Sequence, residues 1–425
     1  MRKTIALILA LSLLCGCTTH PTEVQSETPA LVTENTETEP SVYEEDALYL
    51  VEQVEDIHPC FVLDDVPENY KAAKEAYLNT VKNCDEAEFN LATRRYVSSL
   101  RDGHSTVGLK GLASRALDLN SIYLDGTLWL LDENDYLTET RILSIGGVPA
   151  EDIFAVVEEL FPIENESGYV MYRYHAMFDG VLKEAGVDVS EDSVNVVFEK
   201  NGQEYNESVS FTDIQTVLSQ LTHQTTVSHS IMDDIFYIDF NKCVVDDNLR
   251  KTISALDEAL QNGMNKVIID VRGNSGGSSK AGLSLLETMG MIPPNYTVTF
   301  RTRGTDQYRV EDPDSVTLQQ KVVSNPDIRL LVLCDEMSFS SANDLCIHVQ
   351  DGKLGKLVGR PSANNANCYG YGSAFSLPNS QLNISISAHY WERPDQNASH
   401  DRVDVDVYVP HNEDILDTAV KMLRK

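Results

Sequence analysis

Positive charge is scarce in this chain. Its 425 residues carry 33 lysines and arginines against 66 aspartates and glutamates, a formal net charge of −33. Such a field repels phosphate backbones and argues against nucleic acid as a partner. Past the first apolar run, no stretch reaches 18 consecutive apolar residues, so nothing further reads as a membrane span. The cysteines beyond residue 17 stand at 60, 84, 243, 334, 346 and 368, with no C-x-x-C pair, which argues against a zinc knuckle. Cys334 and Cys346 sit inside apolar runs and read as small buried hydrophobes. Cys60 and Cys84 are candidates for a bridge between two helices. What remains is ordinary globular composition, 42% hydrophobic and 23% charged, with room for two or three domains.

The first residues are a leader, not fold. "MRK" is a basic start, "TIALILALSLL" an apolar run too short for a permanent span, and "LCGC" (14–17) follows. This resembles a bacterial lipobox, which implies cleavage before Cys17 and lipidation of its thiol. Residues 1–17 are thus expected to be a lipoprotein signal peptide. Residues 18–42 are rich in Thr, Glu and Pro, carry no aromatic ring, and read as a disordered tether. The mature chain is expected outside the cytoplasm, held to the cell membrane by its lipid.

Residues 43–110 show helical spacing interrupted at Pro59 and at "LDDVPEN", and end in the turn "RDGHSTV". Residues 111–228 read as β-rich, with short alternating runs and an Asn-Gly hairpin signal in "EKNGQEY". From 229 to 425 strands and helices alternate: "NKVIIDVRGN", "SKAGLSLLETMG", "IRLLVLCDE", "SSANDLCIHVQDG", "GKLVGR". Alternation of this kind predicts an α/β layer with largely parallel strands, whose ligands gather at the strands' C-terminal ends. Two such ends are the loops "RGNSGG" and "MSFSSA".

"DVRGNSGG" (270–277) places glycines at 273, 276 and 277, where bare backbone N–H groups can turn toward a bound oxygen. A tight turn or an anion nest reads equally from those residues. It is not a P-loop, because no Gly-Lys-Ser/Thr follows. "MSFSSAND" offers Ser338, Ser340 and Ser341 at a strand-to-helix turn. A serine there can be a nucleophile or simply a helix cap. His104, on the "RDGHSTV" turn, is a candidate base. His348 lies about 12 Å down the helix from Ser340, a poorer one. His389 belongs to a strand, and His58 reads as capping or packing the first helix.

Taken in order, "DGH", "RILSIGGVPAEDI", "IIDVRGNSGG" and "LCDEMSFSSANDL" resemble the S41 family of serine peptidases, of the carboxy-terminal processing and tricorn-core type. The resemblance runs from about residue 45 to the end. It implies a crotonase- or ClpP-like α/β catalytic domain with an N-terminal helical domain and a PDZ-like segment around "RILSIGGVPAEDI". "RVDVDVYVP" is similar to a closing family strand, with Val405 where proline is usual. The resemblance maps the nucleophile onto Ser340 and the oxyanion donors onto the Ser341 N–H and the loop at Gly276 or Gly277. Processing peptidases of this family carry a lysine base beyond the serine, in the zone that here reads "PSANNANCYGYG" (361–372) and has none. The other branch pairs serine with histidine and an acid. His104 matches its histidine, and Glu392, or alternatively Asp395, matches its acid.

The expected function is a membrane-tethered serine endopeptidase acting on peptides or proteins, with no metal and no organic cofactor. Its His104 would work near the unperturbed imidazole pKa. The alternative is a catalytically inactive lipoprotein that binds peptides or cell-wall fragments on the same fold. Crotonase-type thioester chemistry is disfavoured by the export signal.

Overall fold

The computed structural model describes residues 41–221, 225–304, 308–311 and 322–425. The stretch expected to be a leader and nearly all of the one read as a tether lie outside these residues. The first helix, Val42–Ile57, starts inside the stretch read as tether, because Ser41 and Glu44 close a reciprocal capping box there. Among the described residues no helix is long and apolar enough to cross a membrane.

The molecule is mixed α/β, with three sheets. The C-terminal half is built on six strands in the order Val407–Tyr408, Lys356–Gly359, Arg329–Cys334, Lys266–Asp270, Ile235–Phe240 and Val227–Met232. All neighbours are parallel except the last pair. The two central strands, "KVIID" and "RLLVLC", are buried nearly throughout, as a parallel sheet covered on both faces requires. Their side chains alternate between two cores. Val267, Ile269, Leu330 and Val332 pack with the helices Asp247–Gln261, Ser279–Thr288 and Ser341–Asp351. Ile268, Leu331 and Leu333 pack with the closing helix Ile415–Arg424. Both strands run toward the same edge, so "RGNSGG" and "MSFSSA" emerge side by side.

The β-rich segment forms an antiparallel sheet of seven strands between Arg115 and Asp213. Its Asn-Gly hairpin is present, with Lys200 opposite Gln203 and positive φ at Asn201 and Gly202. Strand Leu137–Ile145 turns at Gly146–Gly147 into helix Ala150–Leu160. The core of this region takes in Met337, Phe339 and Ala363 from the loops of the C-terminal half.

The N-terminal helical layer does not stand alone. Its core residues Leu50, Phe89, Tyr96 and Leu100 are continuous with Leu377, Leu382, Ile384 and Ile386 of the hairpin Cys368–Ser376/Asn383–Glu392. Thr106–Val107 adds to the edge of that hairpin. The chain thereby carries the His104 turn to the loops that bear the serines. All six described cysteines are free, Cys60 and Cys84 included.

Candidate active site

Two loops form one stitched unit. Phe339 N–H donates to Asn274 O (2.9 Å), and Val271 N–H to Leu333 O (2.9 Å). Asp335 accepts from the N–H groups of Gly273 and Met337 (3.0 Å each). The Ser338 hydroxyl donates to Val271 O at 2.8 Å, and the Ser341 hydroxyl to Gly277 O at 3.0 Å. Of the three candidate serines, then, Ser338 is fully buried and spent, and Ser341 is spent on the glycine loop. Ser340 alone keeps a partly exposed hydroxyl with no hydrogen bond among the described residues.

Ser340 is also the strained one. Its φ of 55° and ψ of −127° lie outside the usual range of a non-glycine residue, directly before helix Ser341–Asp351. Three contacts hold it there. Its N–H donates to Asn364 Oδ1 at 2.9 Å, and its C=O accepts from Asp344 N–H at 2.9 Å. Gly276, at φ +97°, lies so close that a Cβ there would stand 2.6 Å from Ser340 Cβ and 2.9 Å from Ser341 N. The Gly276 N–H is taken by Asn274 Oδ1 at 2.9 Å. The N–H groups of Ser341 and Gly277 have no partner among the described residues, so of the two glycines Gly277 is the free donor.

His104 sits in the turn between the helical layer and Thr106, its side chain 8% exposed. Its ring packs on Phe339, the residue before Ser340, with centroids 4.8 Å apart. This approach needs Gly103, where a Cβ would meet Phe339 Cζ at 2.8 Å and Glu164 Oε1 at 3.0 Å. No hydrogen bond joins His104 to Ser340. The acid beside His104 is Asp102, whose Oδ1 lies 3.9 Å from His104 Nδ1. That Nδ1 is buried and has no hydrogen-bond partner. Burial lowers the His104 pKa, and the Asp102 charge offsets part of this.

Asp102 is fully buried and accepts from the Ser105 hydroxyl (2.5 Å), the His104 N–H (2.9 Å) and His58 Nε2 (3.2 Å). His58 Nδ1 accepts from Cys60 N–H, which leaves the ring proton on Nε2. Burial works to raise the Asp102 pKa, but His58, His104 and Ser105 outweigh it and hold the carboxyl at about 2. Glu164 stands on the other side. It accepts from Gly103 N–H (2.7 Å), Asn365 N–H (2.7 Å) and Asn364 Nδ2 (3.0 Å). Burial, followed by the Asp102 charge, raises it to about 7. Asp102, His104 and Glu164 bring one ligand atom each within 4.8 Å of one another, a set a cation could use. The three donors already on each carboxylate favour hydrogen-bonded acids instead.

Glu392 and Asp395 make no hydrogen bond or ion pair with His104 among the described residues. Glu392 ends its strand opposite Thr297, and Asp395 is engaged in its own turn with Asn397. The acid expected from the family pattern is therefore not the one the fold brings to the histidine. His348 is buried against Tyr296, its pKa lowered to about 4 by burial. His389 stacks on Tyr371. His58 does cap the short turn after the first helix, as its sequence suggests, and adds the bond to Asp102. Asp102 was within reach of sequence reasoning, two residues before His104 in the same motif. Glu164 and Asn364 carry no local signal.

A strained serine at a strand-to-helix turn, free amide donors beside it and a histidine packed on the preceding residue form an arrangement chemically suited to acyl transfer. Residues 234–409 match the family model described as Peptidase family S41. The fold of the chain is similar to that of mature CPAF, at 12% identity over 90% of this chain and 96% of that one, with a TM-score of 0.59. Mature CPAF complexed with lactacystin is similar at 12% identity, over 90% and 97%, with a TM-score of 0.60. The photosystem II D1 C-terminal processing protease aligns over 91% and 98% at 12% identity, with a TM-score of 0.48. No curated protein matches the chain in sequence.

Proposed function

We propose that the chain is a serine endopeptidase, exported and tethered to the cell membrane by a lipid on Cys17, that cleaves peptide bonds through an acyl-enzyme on Ser340. The observation that carries this reading is the Ser340 turn, with its strained backbone, unpartnered hydroxyl and free Ser341 and Gly277 N–H groups. Ser340 Oγ attacks the scissile carbonyl carbon as His104 Nε2 takes the hydroxyl proton. The carbonyl oxygen gains the negative charge and is met by the two amide donors and the start of helix Ser341–Asp351. Collapse breaks the C–N bond, and His104 returns the proton to the leaving amine. Water then adds to the ester with the same base, releasing the acid product and Ser340.

Asp102 is the acid this reading assigns to His104, since it is ionised, buried and faces Nδ1. The 3.9 Å gap and the absent Ser340–His104 bond are the looseness expected before substrate draws the two regions together. The same gap favours the second reading, a peptide-binding lipoprotein without turnover. Incubation with a peptide library tests the choice. New termini should appear with the parent and vanish with Ser340→Ala, whereas retained peptides without cleavage support the binder. For the tether, Cys17→Ala should move the protein from the membrane fraction to the medium.

A further inference from the structure

Arg94, on helix Glu86–Ser98, is 2% exposed and has no ion-pair partner among the described residues. Its Nη1 donates to Val107 O at 3.1 Å and its Nη2 to Gly108 O. A guanidinium carries five N–H donors, so these two bonds leave most of them unspent. The Nε is buried with no partner at all. Beside it lies a cavity of about 60 Å³, more than one water needs, whose walls include no aspartate or glutamate. Burial pulls the Arg94 pKa down to about 9, and no acid acts in the other direction. The group therefore remains a cation at neutral pH. Buried charges are paired in native structures, and an orphaned guanidinium is conspicuous in a chain of net charge −33.

His175, 4% exposed, faces the same cavity, and its Nδ1 is likewise without a partner. Burial lowers its pKa to about 3, against a hydrogen bond to the Tyr172 backbone and with the Arg94 charge adding to the lowering, so the ring is neutral and adds no second charge to the cavity. Ser98 lines the cavity as well, and Leu160 and Phe161 add apolar surface. We propose that this cavity binds a small monovalent anion, of halide or carboxylate chemistry, paired with Arg94 through its unspent guanidinium N–H groups, with His175 and Ser98 on the same wall. Ser105, on the same wall, donates to Asp102, so the bound anion adds negative charge on the Asp102–His104 side of the site. The proposal does not depend on Ser340 being a nucleophile.

The test is thermal unfolding of the purified full chain in sodium gluconate, with chloride, bromide or acetate replacing gluconate at constant ionic strength. A rise in Tm that grows with the logarithm of anion concentration is expected, about 2 °C for each tenfold excess over the dissociation constant. Arg94→Met should abolish it. Because that variant can fail to fold, a crystal of the parent grown with sodium bromide gives a second readout, an anomalous peak within hydrogen-bond distance of the guanidinium. A response to halides alone identifies an inorganic anion, and one to acetate as well a carboxylate. A flat Tm with no bromide peak, or an equal rise in a folded Arg94→Met protein, overturns the proposal.

Discussion

Adding one methyl group at Gly276 should separate steric packing of the serine turn from ordinary glycine strain. The Cβ of Gly276→Ala would stand 2.6 Å from Ser340 Cβ, 2.8 Å from Phe339 O and 2.9 Å from Ser341 N. None of these is the far end of a flexible side chain, so the stitched loops themselves must shift. Positive φ costs an alanine about 1–2 kcal/mol, and overpacking adds about 1–3 kcal/mol. The control is Gly147→Ala, whose φ is +83° with nothing within 4 Å of the added methyl. It carries the backbone cost alone. Urea unfolding should place Gly276→Ala about 1–3 kcal/mol below Gly147→Ala. The methyl also intrudes on the free Ser341 N–H, so labelling of Ser340 by a fluorophosphonate should slow by about 100-fold or more. Equal stabilities for the two variants, with labelling intact, would refute the packing argument.

Asn364→Leu removes the acceptor of the Ser340 N–H and a donor to Glu164. It should cost about 1–3 kcal/mol and slow labelling at least about tenfold, while Asn364→Asp, which keeps the acceptor, recovers part of the rate. Glu164 has a folded pKa of about 7, above its ordinary value of 4.5. The folded state therefore holds a proton that the unfolded state lacks between these values, and this contribution to stability falls as pH rises from 4.5 to 7. Its upper bound is about 3 kcal/mol. Glu164→Gln should flatten that part of the stability profile between pH 5 and 8, and an unchanged slope would count against the assignment. Six free thiols among the described residues predict that reductant leaves Tm unchanged. A drop in Tm would point to a bridge.

The sequence made the parallel sheet legible because "KVIID" and "RLLVLC" are apolar on both faces and each ends at a conspicuous loop. Ser340, Ser341, His104 and the glycines could be singled out because turn chemistry is local. The acid was not, since which carboxylate meets His104 depends on tertiary packing. Glu392 follows the family spacing, yet its strand ends opposite Thr297. Asp102 is placed instead by its own turn and by His58, 44 residues away. Glu164 and Asn364 are 200 residues apart and meet only because the β-rich region and the serine loops share a core. The helical layer looked separable for the same reason: its partner strands, 368–392, come almost at the end of the chain.

The most direct test of the central claim is fluorophosphonate labelling of the full chain beside Ser340→Ala and His104→Ala, with the modified residue located by mass spectrometry. Labelling of the parent at Ser340, absent from Ser340→Ala and at least about 100-fold slower in His104→Ala, is the expected result. A folded parent that stays unlabelled, or a His104→Ala variant that labels as fast as the parent, would contradict the serine–histidine mechanism and leave the peptide-binding reading in its place.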